Sequence, residues 1–383
     1  MRLDDICTVF NDGDWIESKN QSEKGIRLIQ TGNIGEGKYL EKEERAKYIS
    51  EETFNSLKCT EIFPGDILVS RLPEPVGRAC IIPEKSERMI TAVDCTICRP
   101  DKNIISKEYL CYFMQSKAYY TQLLNSITGT TRKRISRKNL GSIELNIPDK
   151  TTQKSVVEKL DLLSVIIENR KEEIEKLDEL IKARFVELFG DPSLNTKGYP
   201  IKSLPEIAEY WNGLTYKPED VDDEGIIVLR SSNIQNAQLD FEDTVRVTCS
   251  IGEKKYVQDN DILMCSRNGS ARLVGKVALI KDIEEPMSFG AFMMIIRSQY
   301  YPYLMTYFQM PAFRAQITTG ATTTINQITG RMLDNVKLPV PEKTEMDNFS
   351  SFIEQVDKSK VAVQKALDEA QLLFNSLMQE YFG

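Results

Sequence analysis

The sequence predicts an α+β protein made of two tandem, similar α/β modules, each followed by one long helix, with the two helices paired as an antiparallel coiled coil. Three observations lead to this fold class. Residues 148–190 repeat as residues 341–383 without a gap, from PDKT to ELFG in the first copy and from PEKT to EYFG in the second. The segments upstream also repeat in the same order. Apolar residues recur at three- and four-residue spacing in both copies.

The upstream repeat consists of short runs that are rich in β-forming residues. GIRLIQTGNI (25–34) resembles GIIVLRSSNI (225–234), GDILVSR (65–71) resembles NDILMCSR (260–267), and VGRACII (76–82) resembles VGKVALI (274–280). Gly, Pro, Asn and Asp interrupt these runs, as is typical of short strands joined by loops. Each module is therefore predicted to hold an irregular, loop-rich sheet and a short helical stretch, near 109–124 and again near 303–316.

One apolar stripe runs along each long helix. Its positions are Val156, Leu160, Leu163, Ile167, Ile174, Leu177, Ile181 and Leu188 in the first helix, and Phe349, Ile353, Val356, Val363, Leu367, Ala370, Phe374, Leu377 and Tyr381 in the second. Arg170 and Arg184 fill two further positions of the first stripe, and Lys360 interrupts the second. A single stripe cannot bury itself, so the two helices are expected to pair. The alternatives are that each helix packs on its own module or on another chain.

These patterns divide the chain into four segments. We predict a first module at 1–147, a first helix at 148–190, a second module at 191–340 and a second helix at 341–383. A length of 383 residues is enough for two or three domains with separate cores.

Composition excludes several classes of function. The chain has no histidine, which removes His-based acid–base catalysis, Ser-His-Asp triads and Cys/His zinc sites. A net charge of −8 argues against a non-specific DNA-coating protein, although a local basic surface can still contact DNA. Without a signal-like start or a run of 18 apolar residues, we expect a cytoplasmic protein, no membrane contact and eight reduced cysteines.

Motifs for catalysis or metal binding are weak. GSARLVGKV (269–277) has the wrong spacing for a phosphate-binding loop, and Cys95-x-x-Cys98 lies in an apolar run that favours buried thiols over a zinc site. We find no methyltransferase signature, no convincing nuclease cluster and no pair of carboxylates matched in both modules. The chain is therefore predicted to be no enzyme and to hold no metal.

The order of module, helix, module and helix resembles the specificity (S) subunit of type I restriction–modification systems. The residues that carry the resemblance are the paired GDILVSR…VGRACII and NDILMCSRNGSARLVGKVALI segments, the ELNIPDKT and KLPVPEKT boundaries, and the LFG and YFG helix ends. The resemblance implies two target-recognition domains that each read half of a bipartite site in double-stranded DNA, with the helices as a spacer. It also implies methyltransferase (M) and restriction (R) subunits as partners. S-adenosylmethionine would belong to M and ATP with Mg to R, so no cofactor is expected in this chain.

Basic and polar loops at matched places are the candidate DNA contacts. TTRKRISRK (130–138) offers Arg132, Lys133, Arg134, Arg137 and Lys138 for phosphates or guanine edges, and a solvated basic loop is the alternative. GATTTINQITGR (320–331) offers Thr322, Thr323, Asn326 and Gln327, and Asn or Gln can pair with adenine. Loops after matched strands add Arg71, Arg78, Arg267, Arg272 and Lys276, for which surface salt bridges are an equal alternative.

Two other functions stay open from sequence. One is the specificity subunit of a type IIB-like enzyme, in which a single partner both methylates and cuts. The other is a non-catalytic coiled-coil adaptor whose modules bind proteins. If the helices are spacers, a helix of about 58 Å limits half-site centres to roughly 17 base pairs of undistorted B-DNA.

Overall fold

The structure, a computed structural model, divides into two compact units. Unit 1 consists of Met1–Lys171 and Lys365–Gly383, and unit 2 consists of Glu172–Gln364. Each unit therefore contains one predicted module together with part of each long helix. The residues that the structure describes are 1–72, 75–127, 129, 133–318 and 326–383.

Along the chain, a series of short strands followed by helices occurs twice. The strands are β1 (Cys7–Asp12), β2 (Ile26–Ile29), β3 (Tyr48–Ile49), β4 (Glu61–Ile62), β5 (Ile67–Ser70), β6 (Ala79–Ile81), β7 (Met89–Thr91), β8 (Cys95–Pro100), β9 (Ile201–Ser203), β10 (Glu209–Asn212), β11 (Val221–Leu229), β12 (Ile234–Gln235), β13 (Gln238–Leu239), β14 (Arg246–Val247), β15 (Ile262–Cys265), β16 (Val277–Leu279), β17 (Met287–Phe289), β18 (Met293–Arg297) and β19 (Lys337–Pro339). The α-helices are α1 (Glu51–Leu57), α2 (Lys107–Phe113), α3 (Lys117–Leu124), α4 (Arg137–Gly141), α5 (Lys150–Phe189), α6 (Tyr301–Phe308), α7 (Pro311–Thr318), α8 (Gly330–Asp334) and α9 (Lys343–Phe382).

Each unit contains the same four-stranded antiparallel sheet, which we call its main sheet. In unit 1 its order is β1-β8-β5-β6, and in unit 2 it is β10-β18-β15-β16. A second sheet lies beside it in each unit, with order β3-β2-β7-β4 or β14-β11-β17, and one pair in each of these sheets, β2–β7 or β11–β17, is parallel. The sequence repeat is therefore a structural repeat.

Strand β5 is buried on both faces. Because side chains alternate along a strand, Ile67 and Val69 point into the core shared with the helices, whereas Leu68 points into the core between the two sheets. Strand β15 divides in the same way, with Ile262 on the helix side and Leu263 on the sheet side. Burial on both faces explains why these strands have continuous apolar sequences.

The same ion pair lies beside the main sheet in both units. The guanidinium of Arg99 donates two hydrogen bonds of 2.7 and 2.8 Å to the buried carboxylate of Asp66. Arg297 donates two of 2.6 and 2.7 Å to the buried carboxylate of Asp261. A buried carboxylate is stable only when it is paired and hydrogen-bonded. The Asp of the repeated DIL motif is therefore a structural residue.

The long helices α5 and α9 each have 40 residues. Within unit 2 they run antiparallel, because Asp178 pairs with Lys360 while Phe185, further along α5, contacts Phe349, which is earlier in α9. The Phe185 and Phe349 ring centroids are 5.6 Å apart. Within unit 1, Lys159 of α5 donates a 3.1 Å hydrogen bond to the hydroxyl of Tyr381 near the end of α9.

The predicted fold class is confirmed: two similar α/β modules and an antiparallel pair of long helices. Every apolar position of the two predicted stripes is buried or half-buried. The helices also pack on the modules, since Val156 and Leu160 lie in one core with the helices of unit 1. The segment boundaries at 147, 190 and 340 stay predictions. Among the described residues, none of the helices combines the length and apolar character that crossing a membrane requires.

Candidate nucleic-acid interface

Three strand ends of the unit 1 main sheet meet at one place. Strand β1 ends at Asp12, β5 ends at Ser70, and β8 begins at Cys95. The amide of Arg71 donates to the carbonyl of Asp94 at 2.9 Å, which closes the sheet at this end. The amide of Ile135 then donates to the carbonyl of Arg71 at 3.3 Å and attaches the basic loop to the sheet. We call Asp12, Arg71, Asp94 and residues 133–138 edge 1.

The side chain of Arg71 supports this loop from beneath. It is only 6% exposed, and its guanidinium donates to the carbonyls of Val93 at 2.6 Å and Ile135 at 3.5 Å. Its Nε lies 3.4 Å from a carboxylate oxygen of Asp12. These contacts occupy the side chain inside unit 1, so Arg71 holds the loop in place.

The basic loop itself is at the surface. Lys133, Arg134, Arg137 and Lys138 are all exposed. Ser136 caps α4 by accepting a 3.1 Å hydrogen bond from the amide of Asn139, which fixes Arg137 and Lys138 in the first turn of that helix. A guanidinium nitrogen of Arg137 is 4.0 Å from Asp12. Arg132 lies outside the described residues.

Unit 2 has the equivalent arrangement with different side chains. The amide of Ser266 donates to the carbonyl of Phe292 at 2.9 Å, and the amide of Ile328 donates to the carbonyl of Ser266 at 2.7 Å. Arg267 forms an antiparallel bridge with Gln327, and the side-chain amide of Asn326 donates to the carbonyl of Gly269 at 3.2 Å. The structure thus brings together three predicted site residues on what we call edge 2, which consists of Ser266, Arg267, Phe292, Asn326 and Gln327. Thr322 and Thr323 lie outside the described residues.

Arg71 and Arg267 occupy different positions, although the repeated motif matches them. The backbone partners equate Ile135 with Ile328 and therefore Arg71 with Ser266. The second copy has one additional residue before its arginine, so Arg267 lies one position further along the chain. A one-residue shift turns a side chain to the opposite side of an extended backbone. Arg71 is therefore buried, whereas Arg267 is exposed.

Arg78 and Lys276 are equivalent to each other and make the same kind of contact. Arg78 Nε donates to the carbonyl of Ile34 at 2.6 Å, and Lys276 Nζ donates to the carbonyl of Ile234 at 3.4 Å. Both side chains are half-buried. They connect the segment that follows β2 or β11 to the start of β6 or β16 in the main sheet. Arg272 is different, because it is exposed in the turn between β15 and β16.

Three exposed residues near these edges were not among the predicted sites. Phe292 is 58% exposed on edge 2, and Trp15, just after β1, is 70% exposed. Arg331 is the second residue of α8, as Lys138 is of α4, and both are exposed. The match of RISRK with QITGR gave a sequence signal for Arg331. Exposure of the aromatic residues had no such signal, since aromatic side chains are more often in the core.

Two thiols of unit 1, those of Cys59 and Cys95, are buried. Burial raises the pKa of Cys95, at the start of β8, to about 12, and that of Cys59 to about 11. Cys95 and Cys98 are three residues apart on one strand, so they face opposite sides, Cys98 in the helix-side core and Cys95 between the sheets. Among the described residues, no group of three or more Cys, Asp or Glu side chains is arranged to hold a metal ion.

The fold is that of an internally duplicated protein, with two matched α/β units and two long antiparallel helices. Residues 1–178 match the family model described as "Type I restriction modification DNA specificity domain". This match confirms the resemblance to type I specificity subunits that the sequence predicts.

Curated relatives are similar along much of the chain. The EcoKI specificity subunit of Escherichia coli (strain K12) is 24% identical over 307 residues, which cover 74% of this chain and 66% of that protein. The StySPI specificity subunit of Salmonella potsdam is 23% identical over 308 residues, which cover 74% of this chain and 65% of that protein. The chain thus spans slightly less than two thirds of the length of these curated relatives.

Solved structures share the fold. A chain from the work described as "Structural basis underlying complex assembly and conformational transition of the type I R-M system" matches with a TM-score of 0.58 and 17% identity, covering 100% of this chain and 96% of that one. The type I S subunit from M. genitalium matches with a TM-score of 0.55 and 14% identity, covering 100% and 95%. At these identities the likeness concerns the fold alone.

Proposed function

We propose that this chain is the DNA-reading subunit of a restriction–modification complex. Each unit binds one half of a bipartite site in double-stranded DNA through its edge, and the helix pair sets the distance between the half-sites. The chain directs methyltransferase subunits to this site, and restriction subunits where the system has them.

The single observation that carries this proposal is that one backbone arrangement presents two different chemistries. Both edges consist of a main-sheet end with a loop attached through an isoleucine amide, Ile135 or Ile328. Edge 1 offers lysine and arginine, whereas edge 2 offers arginine and side-chain amides. Two copies of one scaffold with different surface residues are suited to reading two different half-sites.

The proposed contacts divide by chemistry. We assign Lys133, Arg134, Arg137 and Lys138 to phosphate contacts, which give affinity that falls with salt. Arg267, Asn326 and Gln327 have the side-chain types that pair with guanine and adenine edges in the major groove. We assign Arg71, Arg78 and Lys276 to support of the loops because their cationic groups donate to backbone carbonyls. Arg132, Arg272, Thr322 and Thr323 stay proposed contacts.

We propose no chemical step in this chain. The chain has no histidine to act as an acid or a base, and burial raises the pKa of the Cys59 and Cys95 thiols, which keeps these two side chains protonated and poorly nucleophilic. Methyl transfer from S-adenosylmethionine and ATP-dependent cleavage with Mg would belong to partner subunits.

Methylation mapping tests the proposal directly. The chain is expressed with the methyltransferase encoded beside it in a host that lacks adenine methylation, and the DNA is sequenced by a long-read method that detects methylated bases. We expect one bipartite methylated motif that disappears when this chain is omitted. Absence of a motif with a methyltransferase shown to be active would favour the adaptor function, and cleavage by the same partner would indicate a type IIB-like system.

A further inference from the structure

Arg267 and Phe292 form an exposed stack on edge 2. The guanidinium carbon of Arg267 lies 5.1 Å from the centroid of the Phe292 ring. Arg297 and Arg99 also lie over aromatic rings, but each of them is paired with a buried aspartate. In the part of the chain that the structure describes, the guanidinium of Arg267 has no carboxylate at ion-pair distance. Its N–H groups are therefore available to a ligand.

The backbone beneath this stack is tightly held. The carbonyl of Phe292 accepts hydrogen bonds from the amide of Ser266 at 2.9 Å, the hydroxyl of Ser266 at 2.9 Å and the amide of Arg267 at 3.0 Å. On its other side Arg267 bridges to Gln327. Because both residues are fixed at the backbone, little conformational freedom beyond side-chain rotation is lost when a ligand binds.

We propose that Arg267 reads a guanine in the half-site bound by unit 2, and that Phe292 is the positioning residue that orients its guanidinium. This inference rests on the function proposed above. A ring beneath the guanidinium covers one of its faces and leaves the N–H edge, which is the edge that pairs bidentately with guanine O6 and N7. Cation–π attraction adds to the preference for this orientation.

The surroundings favour a base over a phosphate. The neighbours Asn326 and Gln327 are neutral side chains that pair with base edges, and the exposed ring of Phe292 suits the apolar methyl group of thymine better than a charged backbone. By position, edge 1 has Leu72 and Asp94 where edge 2 has Arg267 and Phe292. The guanine contact is therefore specific to the half-site of unit 2.

Selection from a random pool of DNA duplexes tests this assignment. The full-length chain, in complex with its methyltransferase, selects duplexes that are then sequenced. We expect Arg267→Gln to lose the preference for one G·C pair in one half-site by roughly ten- to a hundredfold, with the other half-site unchanged. Arg267→Lys should lose it too, because lysine lacks the planar two-pronged donor. Phe292→Leu should reduce the same preference and no other.

Lys182→Gln is the matched control, since it removes one positive charge from an exposed helical position of unit 2. Thermal unfolding of each variant shows whether the chain is folded. If Arg267→Gln weakens all sequences equally and lowers the salt slope by about one, the residue binds phosphate and guanine reading is wrong. If the wild-type motif survives unchanged in Arg267→Gln, the assignment is also wrong. If the wild-type complex selects no motif, the proposed function fails, and this inference fails with it.

Discussion

The contribution of edge 1 to DNA binding is tested by replacing three of its exposed basic residues, Lys133, Arg134 and Lys138. We expect their joint replacement by alanine to weaken binding of the specific duplex by at least about tenfold and to lower the dependence of log affinity on log salt by about one per lost phosphate contact. The physical reason is that each contact releases condensed counterions. The measurement is fluorescence anisotropy with labelled duplex over a range of salt concentrations.

The matched control replaces three exposed lysines of the long helices, Lys171, Lys182 and Lys358, with alanine. It removes the same total charge outside both edges. An equal loss of affinity in the two triple variants, or an unchanged salt slope for the edge 1 variant, would show that the loop is not a DNA contact.

The positions of single site residues were only partly predictable from sequence. The basic loop and the Asn326–Gln327 pair were recognisable as loop segments, and the structure places both at strand ends of a main sheet. Arg71 and Arg267 were matched by their motif, yet one is buried and the other exposed. The second copy has one additional residue before its arginine, and the match of the two motifs does not specify which residue, Ser266 or Arg267, takes the backbone position of Arg71. Exposure of Phe292 depends on the same backbone register.

Buried thiols predict how stability changes with pH. Burial raises the pKa of Cys95 to about 12, whereas a cysteine in an unfolded chain titrates near pH 8.5. The protonated thiol therefore contributes stability that is fully present below about pH 8.5 and is lost as the pH rises towards 12. We expect Cys95→Ala to be less stable than the wild type at pH 7, and this gap to narrow by up to about 1.4 kcal/mol per pH unit above pH 9.

Urea unfolding followed by circular dichroism at pH 7, 9 and 10 measures the gap between Cys95→Ala and wild type. Ile97→Val is the control, because it removes buried volume from the same strand without a titratable group. A gap for Cys95→Ala that stays constant with pH, as we expect for Ile97→Val, would contradict the raised pKa.

At the level of elements, the helix stripes show which contacts sequence can and cannot predict. The three- and four-residue spacing predicted both stripes, and their positions are buried or half-buried. Lys360 looked like a defect in the second stripe. In the structure it forms an ion pair with Asp178 of α5, and its side chain is only 13% exposed. The partner could not be predicted, because it depends on the register of two antiparallel helices.

A charge swap tests this register contact. We expect Asp178→Lys to destabilise the protein by about 1 kcal/mol, because it places two positive charges together in a partly buried seam, and Asp178→Lys with Lys360→Asp to recover most of that loss. The Asp178 side chain is 47% exposed, which keeps the magnitude small. The measurement is a double-mutant cycle by urea unfolding, with the exposed neighbour substitution Glu179→Lys as control. A double variant no more stable than Asp178→Lys alone would mean that the pair does not set the register.

At the level of the whole molecule, duplication was the most informative property of the sequence. Ungapped similarity between 148–190 and 341–383 predicted two helices, and the ordered upstream segments predicted two modules. The pairing of strands into the main sheet and the second sheet of each unit was beyond sequence reasoning, because it depends on contacts between distant segments, such as β2 with β7. The DNA sequences that the proposed function assigns to the two units are equally beyond sequence reasoning, since side chains and DNA shape act together in recognition.

The proposed spacer role of the helices is tested by shortening both of them at matched places. Deleting residues 175–181 from α5 and 357–363 from α9 removes one heptad from each helix, centred on the Asp178–Lys360 pair. A heptad keeps the apolar stripes nearly in phase and shortens the pair by about 10 Å, the length of about three base pairs. We expect the methylated motif to keep both half-sites and to lose about three base pairs from the gap. A gap shorter by three base pairs also rotates one half-site relative to the other by about 100°, so we expect weaker methylation of the new site.

Inserting a heptad at the same places should lengthen the gap by the same amount, which distinguishes a spacer from a general loss of folding. A gap that is unchanged in a folded deletion variant would show that the helices do not measure the distance between half-sites.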